Sequence, residues 1–238
     1  MRKLRILLLL GTVLLEAGCG LPDTYFLQPP VVVTQVNTTT NYFSFNNPIH
    51  DLNHDINVNF KGDELYYKLY GDTAIDVNAV DPASPTDPSV QLANKGFYPI
   101  TLATDSVGTR IDPVIAINSA LAAAGSSVTV TINSDITFGG NSNFVLATNP
   151  AAEIRRGVVD LYTGNTYKVF QQNPLTLPAD KSYQSTDADF AAAYATLQAN
   201  GLNVMYVAWY VMSFGYTTSG TPVRSTAAYL GYMSMPYQ

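Results

Sequence analysis

The sequence predicts a mainly β protein, an antiparallel sandwich with an inserted β-rich excursion and one short covering helix. Three observations carry that expectation. Sixteen Tyr and ten Phe, with only 13% charged residues, make a mixture that suits a pleated, half-buried surface. Short runs with a period of two recur between clusters of Gly, Pro, Asn and Asp. A helical stripe is legible at one place only. With 47% apolar residues the chain can bury a substantial core, and 238 residues suit one large all-β domain or two small ones.

The elements follow in order. "VVVTQV" (Val31 to Val36) and "NYFSF" (Asn41 to Phe45) read as two strands, the second ended by Asn46-Asn47-Pro48. "INVNF" sets Ile56, Val58 and Phe60 against Asn57 and Asn59. Lys61-Gly62-Asp63 reads as a bend. "ELYYKLY" then places Leu65, Tyr67 and Leu69 on one face and Glu64, Tyr66, Lys68 and Tyr70 on the other. Those tyrosines either face solvent or lie under a neighbouring loop. Gly71 to Lys95, with Pro82, Pro85 and Pro88 and no strong period, reads as a long loop.

"YPITLA", "DPVIAIN", "SVTVTINSDITF" and "NFVLAT" are four further short strands. Asp112 to Gly125 also suits a helix with Pro113 in its first turn, and strand followed by helical turn is preferred. "VVDLYTGNTYKVF" is a hairpin around Gly164-Asn165, which tolerate the positive φ of such turns. "STDADFAAAYATLQANG" is the helix, with Thr186 as N-cap, Asp189 three residues on, a stripe of Phe190, Ala193, Tyr194 and Leu197, and Asn200-Gly201 as the stop. "NVMYVAWYVMSFGY" (Asn203 to Tyr216) is apolar on both faces, the mark of a strand in mid-sheet. Thr217 to Thr221 turn the chain and "PVRSTAAYLGYMSM" returns as its antiparallel neighbour.

The strand Glu64 to Tyr70 and the closing hairpin "YVAWYVMSFGYTTSGTPVRSTAAYLGY" (Tyr206 to Tyr232) resemble fibronectin type III and other immunoglobulin-like domains. The resemblance implies a sandwich over residues 31–238, with about 71–173 inserted as extra strands or a small subdomain. No Cys–Trp–Cys pattern is present, so an antibody-type disulfide is excluded.

The N-terminus has its own pattern. Arg2, Lys3 and Arg5 form a basic head, Ile6 to Leu15 an apolar run, and Glu16-Ala17-Gly18 precede Cys19, the only cysteine. This is the plan of a secretory signal over residues 1–18, and the run is far short of the ~20 residues that span a bilayer. A lone cysteine has no internal disulfide partner. Ala17-Gly18-Cys19 resembles the lipobox of bacterial lipoproteins. Glu16 stands where Leu is usual, with Leu15 one step earlier, which looks like the relaxed lipoboxes of spirochaetal lipoproteins. The resemblance implies lipidation of Cys19 by a diacylglyceryl group and an amide-linked acyl chain, palmitate among them. Two or three chains hold a protein on a bilayer where one does so marginally, at ~0.8 kcal/mol per buried methylene. Residues 19–30 then form a short lipidated tether stiffened by Pro22, Pro29 and Pro30. Gly20 after Cys19 implies, by enteric sorting, the outer membrane of the cell envelope.

Charge and motifs narrow the function. The formal net charge is −6, and removal of residues 1–18 leaves 9 basic against 17 acidic residues, a net of −8. Without a basic stripe no nucleic-acid partner is expected. His50 and His54 in "HDLNHD" sit at i, i+4 beside Asp51 and Asp55, a metal-compatible spacing on a helix, but Pro48 and Asn53 favour a solvated loop. Asp72, Asp76, Asp81 and Asp87 offer oxygens to calcium without the D-x-D-x-D-G spacing, and read as an ordinary polar loop. No G-x-S-x-G is present, and Gly139-Gly140-Asn141 lacks the lysine or helix start of a phosphate cradle. The expectation is a lipid-anchored, non-enzymatic envelope module without cofactor or metal, contacting the membrane by its anchor and a protein or glycan by its body. An envelope hydrolase using carboxylates in the 71–118 region is the alternative.

Overall fold

The computed structural model describes residues 26–47, 58–100, 115–116, 127–133, 145–149, 152–158, 169–172 and 188–236. In chain order its elements are β1 (Val31–Thr34), β2 (Tyr42–Asn46), β3 (Val58–Tyr70), α1 (Pro88–Asn94), β4 (Tyr98–Ile100), β5 (Ile115–Ala116) and β6 (Ser127–Asn133), then β7 (Val145–Asn149), β8 (Ala152–Val158), β9 (Val169–Gln172), α2 (Ala188–Asn200), β10 (Val204–Thr217), β11 (Pro222–Arg224) and β12 (Ala228–Pro236). They form two antiparallel sheets. The first runs β1-β2-β6-β7-β8-β9; the second runs β11-β10-β3-β4, with β12 also on β10 and β5 also on β3. Strands from within 71–173 are therefore built into both sheets, β4 and β5 beside β3 and β6 beside β2.

The main core lies between the sheets. Phe43, Phe45, Val128, Val130 and Ile132 of the first meet Leu65, Tyr67, Leu69, Val207, Trp209 and Val211 of the second. Trp209 sits at the centre, 5.7 Å from Phe43 and 5.8 Å from Tyr67 between ring centroids. A smaller cluster of Leu27, Val58 and Phe60, with Val223 against it, closes one end. As expected from its two apolar faces, β10 runs in mid-sheet, with β3 on one side and β11 and β12 on the other.

Residues 61–63 do not bend the chain. They lie inside the single thirteen-residue strand β3, where the register against β10 slips between Phe214 and Gly215. The glycine is used for a β-bulge, with Gly62 at φ 131°, and the extra residue twists the strand without ending it. A second bulge, between Trp209 and Tyr210, places Gly231 of β12 at φ 99°. There Val36 forms a parallel bridge with Gly231, and a Cβ on Gly231 would stand 2.1 Å from the Val36 carbonyl oxygen. Only glycine fits. The Val36 N–H donates to Leu230 O at 2.9 Å and the Gln35 amide to Tyr229 O at 3.2 Å, stitching the two sheets along one edge.

The helix read from its stripe is α2, with Phe190, Ala193 and Leu197 in the main core and Tyr194 stacked on Phe190 at 5.5 Å. The Leu202 N–H donates to Leu197 O at 3.1 Å and Gly201 is at φ 62°, a Schellman-type end. Thr186 lies outside the described residues. In its first turn Asp189 is buried and accepts a hydrogen bond from the Tyr67 hydroxyl. One helix was expected and two are present among the described residues. Within the stretch read as a loop, Asp87 caps α1 through Ser89 N at 2.7 Å and Pro88 opens it.

β8 and β9 pair antiparallel, Val158 opposite Val169, as the hairpin reading expects; Gly164-Asn165 lie outside the described residues. So does the helical alternative for 112–125, apart from Ile115–Ala116. No helix among the described residues is long and apolar enough to cross a membrane.

Candidate functional site

Alternation along β3 and β10 sends one set of side chains inward and the other to the outer face of the second sheet. That outer set is Tyr66, Lys68 and Tyr70 from β3, Tyr206, Ala208, Tyr210 and Met212 from β10, and Tyr229 and Tyr232 from β12. The open alternative for the β3 tyrosines resolves in favour of a covering loop. Residues 71–97 fold over the face, with Ala79, Leu92 and Phe97 against Tyr66, Tyr70 and Tyr210, and Ile75 and Val80 beside them.

Polar bonds fix this cover. The Tyr210 hydroxyl donates to Val77 O at 2.8 Å and accepts from Ala79 N at 3.1 Å. The Tyr70 hydroxyl accepts from Asp76 N at 3.3 Å. Burial pushes both phenols above their ordinary range. Lys68 donates to Lys95 O at 2.7 Å with its ammonium 4.7 Å from the Tyr70 ring, and desolvation holds it below the usual lysine range. At the other end Glu64, fully buried, is met by Arg224 Nε at 3.0 Å and the Tyr66 hydroxyl at 2.8 Å. Arg224 reaches Asp87 at 3.5 Å as well. Burial works against the Arg224 charge, but the Glu64 carboxylate outweighs it, and the guanidinium is held charged.

The four aspartates of the expected polar loop are spent on its backbone. Asp72 accepts from Ala74 N at 3.0 Å, Asp76 from Asn78 N at 3.2 Å and Asp81 from Ala83 N at 2.9 Å, and Asp87 caps α1. Asp76 also pairs with Lys95 at 3.2 Å. Among the described residues no three His, Cys, Asp or Glu side chains converge on a metal position. His50, His54 and Cys19 lie outside the described residues.

The cover stops short of β12. Tyr206, Tyr229 and Tyr232 remain half-buried at its border, Tyr206 at 6.3 Å from Tyr232 and Tyr229 at 5.1 Å from Tyr210. The Tyr229 hydroxyl meets no hydrogen-bonding partner among the described residues. Such a strip offers rigid aromatic area, suited to stacking at small entropic cost, with the Tyr229 hydroxyl itself buried. It supplies no nucleophile–base pair. The sequence left open whether the β3 tyrosines face solvent, and it gave no sign of which tyrosines stay outside the cover.

One further group went unnoticed in the sequence. Asp63 is fully buried in the sandwich beside Ser213 and Asn47, and burial raises its carboxyl well above the usual range. The Ser213 and Asn47 side chains beside it offset the effect of burial only in part. The Ser213 hydroxyl is aimed elsewhere, at Gln28 O, 2.7 Å away. Its position inside the fold makes it a stability element rather than a solvent-facing acid.

Comparison with protein-family models, curated proteins and solved structures returns no match to this chain, so its function rests on the residues themselves.

Proposed function

We propose that the chain is a lipid-anchored, non-enzymatic module of a bacterial cell envelope, held by an acylated Cys19 in the outer membrane, with an immunoglobulin- or fibronectin type III-like body that binds a protein or glycan. One observation carries the reading: the only cysteine follows a basic head, an apolar run and Ala17-Gly18. An exported domain has no internal use for an unpaired thiol. The half-buried strip of Tyr206, Tyr229 and Tyr232 supports the binding half of the proposal, because its aromatic faces suit sugar rings or side chains.

The test is metabolic labelling with palmitate in cells expressing the full chain and Cys19→Ala, with and without globomycin. Label on the native chain, its loss in the variant and accumulation of the precursor under globomycin are expected. An unlabelled native chain that begins with Met1 overturns the reading.

A further inference from the structure

The geometry points to the β1 edge of the first sheet as the face that rests on the phospholipid surface, so that the body sits against the bilayer instead of swinging from it. This rests on the anchored reading above. Three independent features place the same stretch there.

The first is exposure. Val31 at 62%, Val33 at 60% and Phe26 at 51% are the three most exposed large apolar side chains among the described residues, and all fall between positions 26 and 33. Val32, between the two valines, packs against the core. Val33 is the extra residue of a bulge, since Val32 pairs with Phe45 and Thr34 with Ser44. β1 is also the last strand of its sheet.

The second is charge. No Asp, Glu, Lys or Arg occurs between Asp23 and His50, and none occurs in β6. Opposite registers put Tyr42, Ser44 and Asn46 of β2 beside Thr131, Thr129 and Ser127 of β6. The outward side chains of β1, β2 and β6 are thus all neutral in a chain whose mature part carries −8. Anionic headgroups repel the acidic surface, and this patch approaches them without electrostatic cost.

The third is reach. Leu27 is 5% exposed, Pro30 is buried and Gln28 O is bonded to Ser213, so the packed body begins well before the end of the expected 19–30 tether. The chain from Cys19 to Phe26 spans at most roughly 25 Å when fully extended. Acyl chains at Cys19 therefore keep Phe26, Val31 and Val33 at high local concentration near the interface, where even weak apolar contacts are occupied.

The test uses the acylated full chain, whose modified Cys19 leaves an introduced cysteine as the only free thiol. Val33→Cys and, on the opposite side of the molecule, Val90→Cys of α1 are labelled with an environment-sensitive nitrobenzoxadiazole dye. Both are reconstituted into vesicles of phosphatidylethanolamine with a minority of phosphatidylglycerol. On vesicles the dye at 33 is expected to brighten severalfold, shift to the blue and be quenched by spin-labelled lipid, while the dye at 90 keeps its aqueous spectrum. Flotation with the vesicles combined with an aqueous spectrum at both positions overturns the seating and leaves the anchor standing. Failure to float overturns the anchor and the seating together. Brightening at 33 that grows with protein concentration in the absence of vesicles assigns the edge to a second copy of the chain and overturns the lipid assignment.

Discussion

The two outer faces of the sandwich follow opposite solutions to the same problem. The outer face of the second sheet is aromatic and apolar along β3 and β10, and residues 71–97 cover it. Over β1, β2 and β6 the outer face of the first sheet is Ser, Thr and Asn, apart from Val31, Val33 and Tyr42, and around buried Ser44 it is exposed or half-exposed. The difference is already in the period. "MYVAWYVM" is apolar at every position and demands cover on both sides, whereas "SVTVTI" alternates and needs one covered side only. A covered face brings buried charge with it, and an open face does not.

Substitution should break the two faces unequally. Arg224→Ala removes the main cation from fully buried Glu64 and unties α1 at Asp87. It is expected to cost about 3 kcal/mol, because a buried carboxylate left without its cation is far worse than no pair at all. Chemical denaturation checks the loss, and Arg224→Lys should recover only part of it, since one ammonium does not reproduce the guanidinium's reach to both acids. Tyr210→Phe comes next, at ~1–2 kcal/mol, by leaving Val77 O and Ala79 N without the hydroxyl that joins them. Hydrogen exchange should rise in 71–97 before it rises in β10, and uniform acceleration would mean that cover and sheet unfold as one unit.

Asp63→Asn separates the interior from both faces. A carboxyl whose native pKa is raised keeps its proton in the folded chain after the unfolded chain has lost it, so stability is fully present in acid and falls as pH climbs. The fall is at most ~1.4 kcal/mol per pH unit for a single group. The variant should equal the native chain near the ordinary carboxylate pKa and exceed it at neutral pH. Parallel stability–pH curves for the two proteins would refute this. Smallest of all, Val31→Thr and Val33→Thr on the open face should stay within ~0.5 kcal/mol in thermal unfolding; a larger change would show that this face is covered as well.

Much of this contrast was legible in the residues. The stripe Phe190, Ala193, Leu197 named the buried side of α2, and the two faces of β10 separated into the two clusters they form. α1 was passed over because seven residues are too few for a period, although Asp87-Pro88 is a cap and first-turn pair. The Gly62 bulge was misread as a bend because its meaning depends on the register against Phe214 and Gly215, some 150 positions away. The same non-locality hid the bond of Glu64 to Arg224, separated by 160 positions, and the half-exposed strip at β12. A sequence says which side chains are aromatic; only the path of 71–97 decides which of them remain reachable.

The bridge between Val36 and Gly231 has a consequence for synthesis. Residues near the start of the body are clasped by β12, and β10 obtains its longest remaining neighbour from that same strand. A nascent polypeptide interrupted ahead of Ala228 lacks the clasp, and Val204–Val211 of its middle strand keep a raw edge beyond the short pairing with β11. Closure of the body thus waits until residues 228–236 have been made.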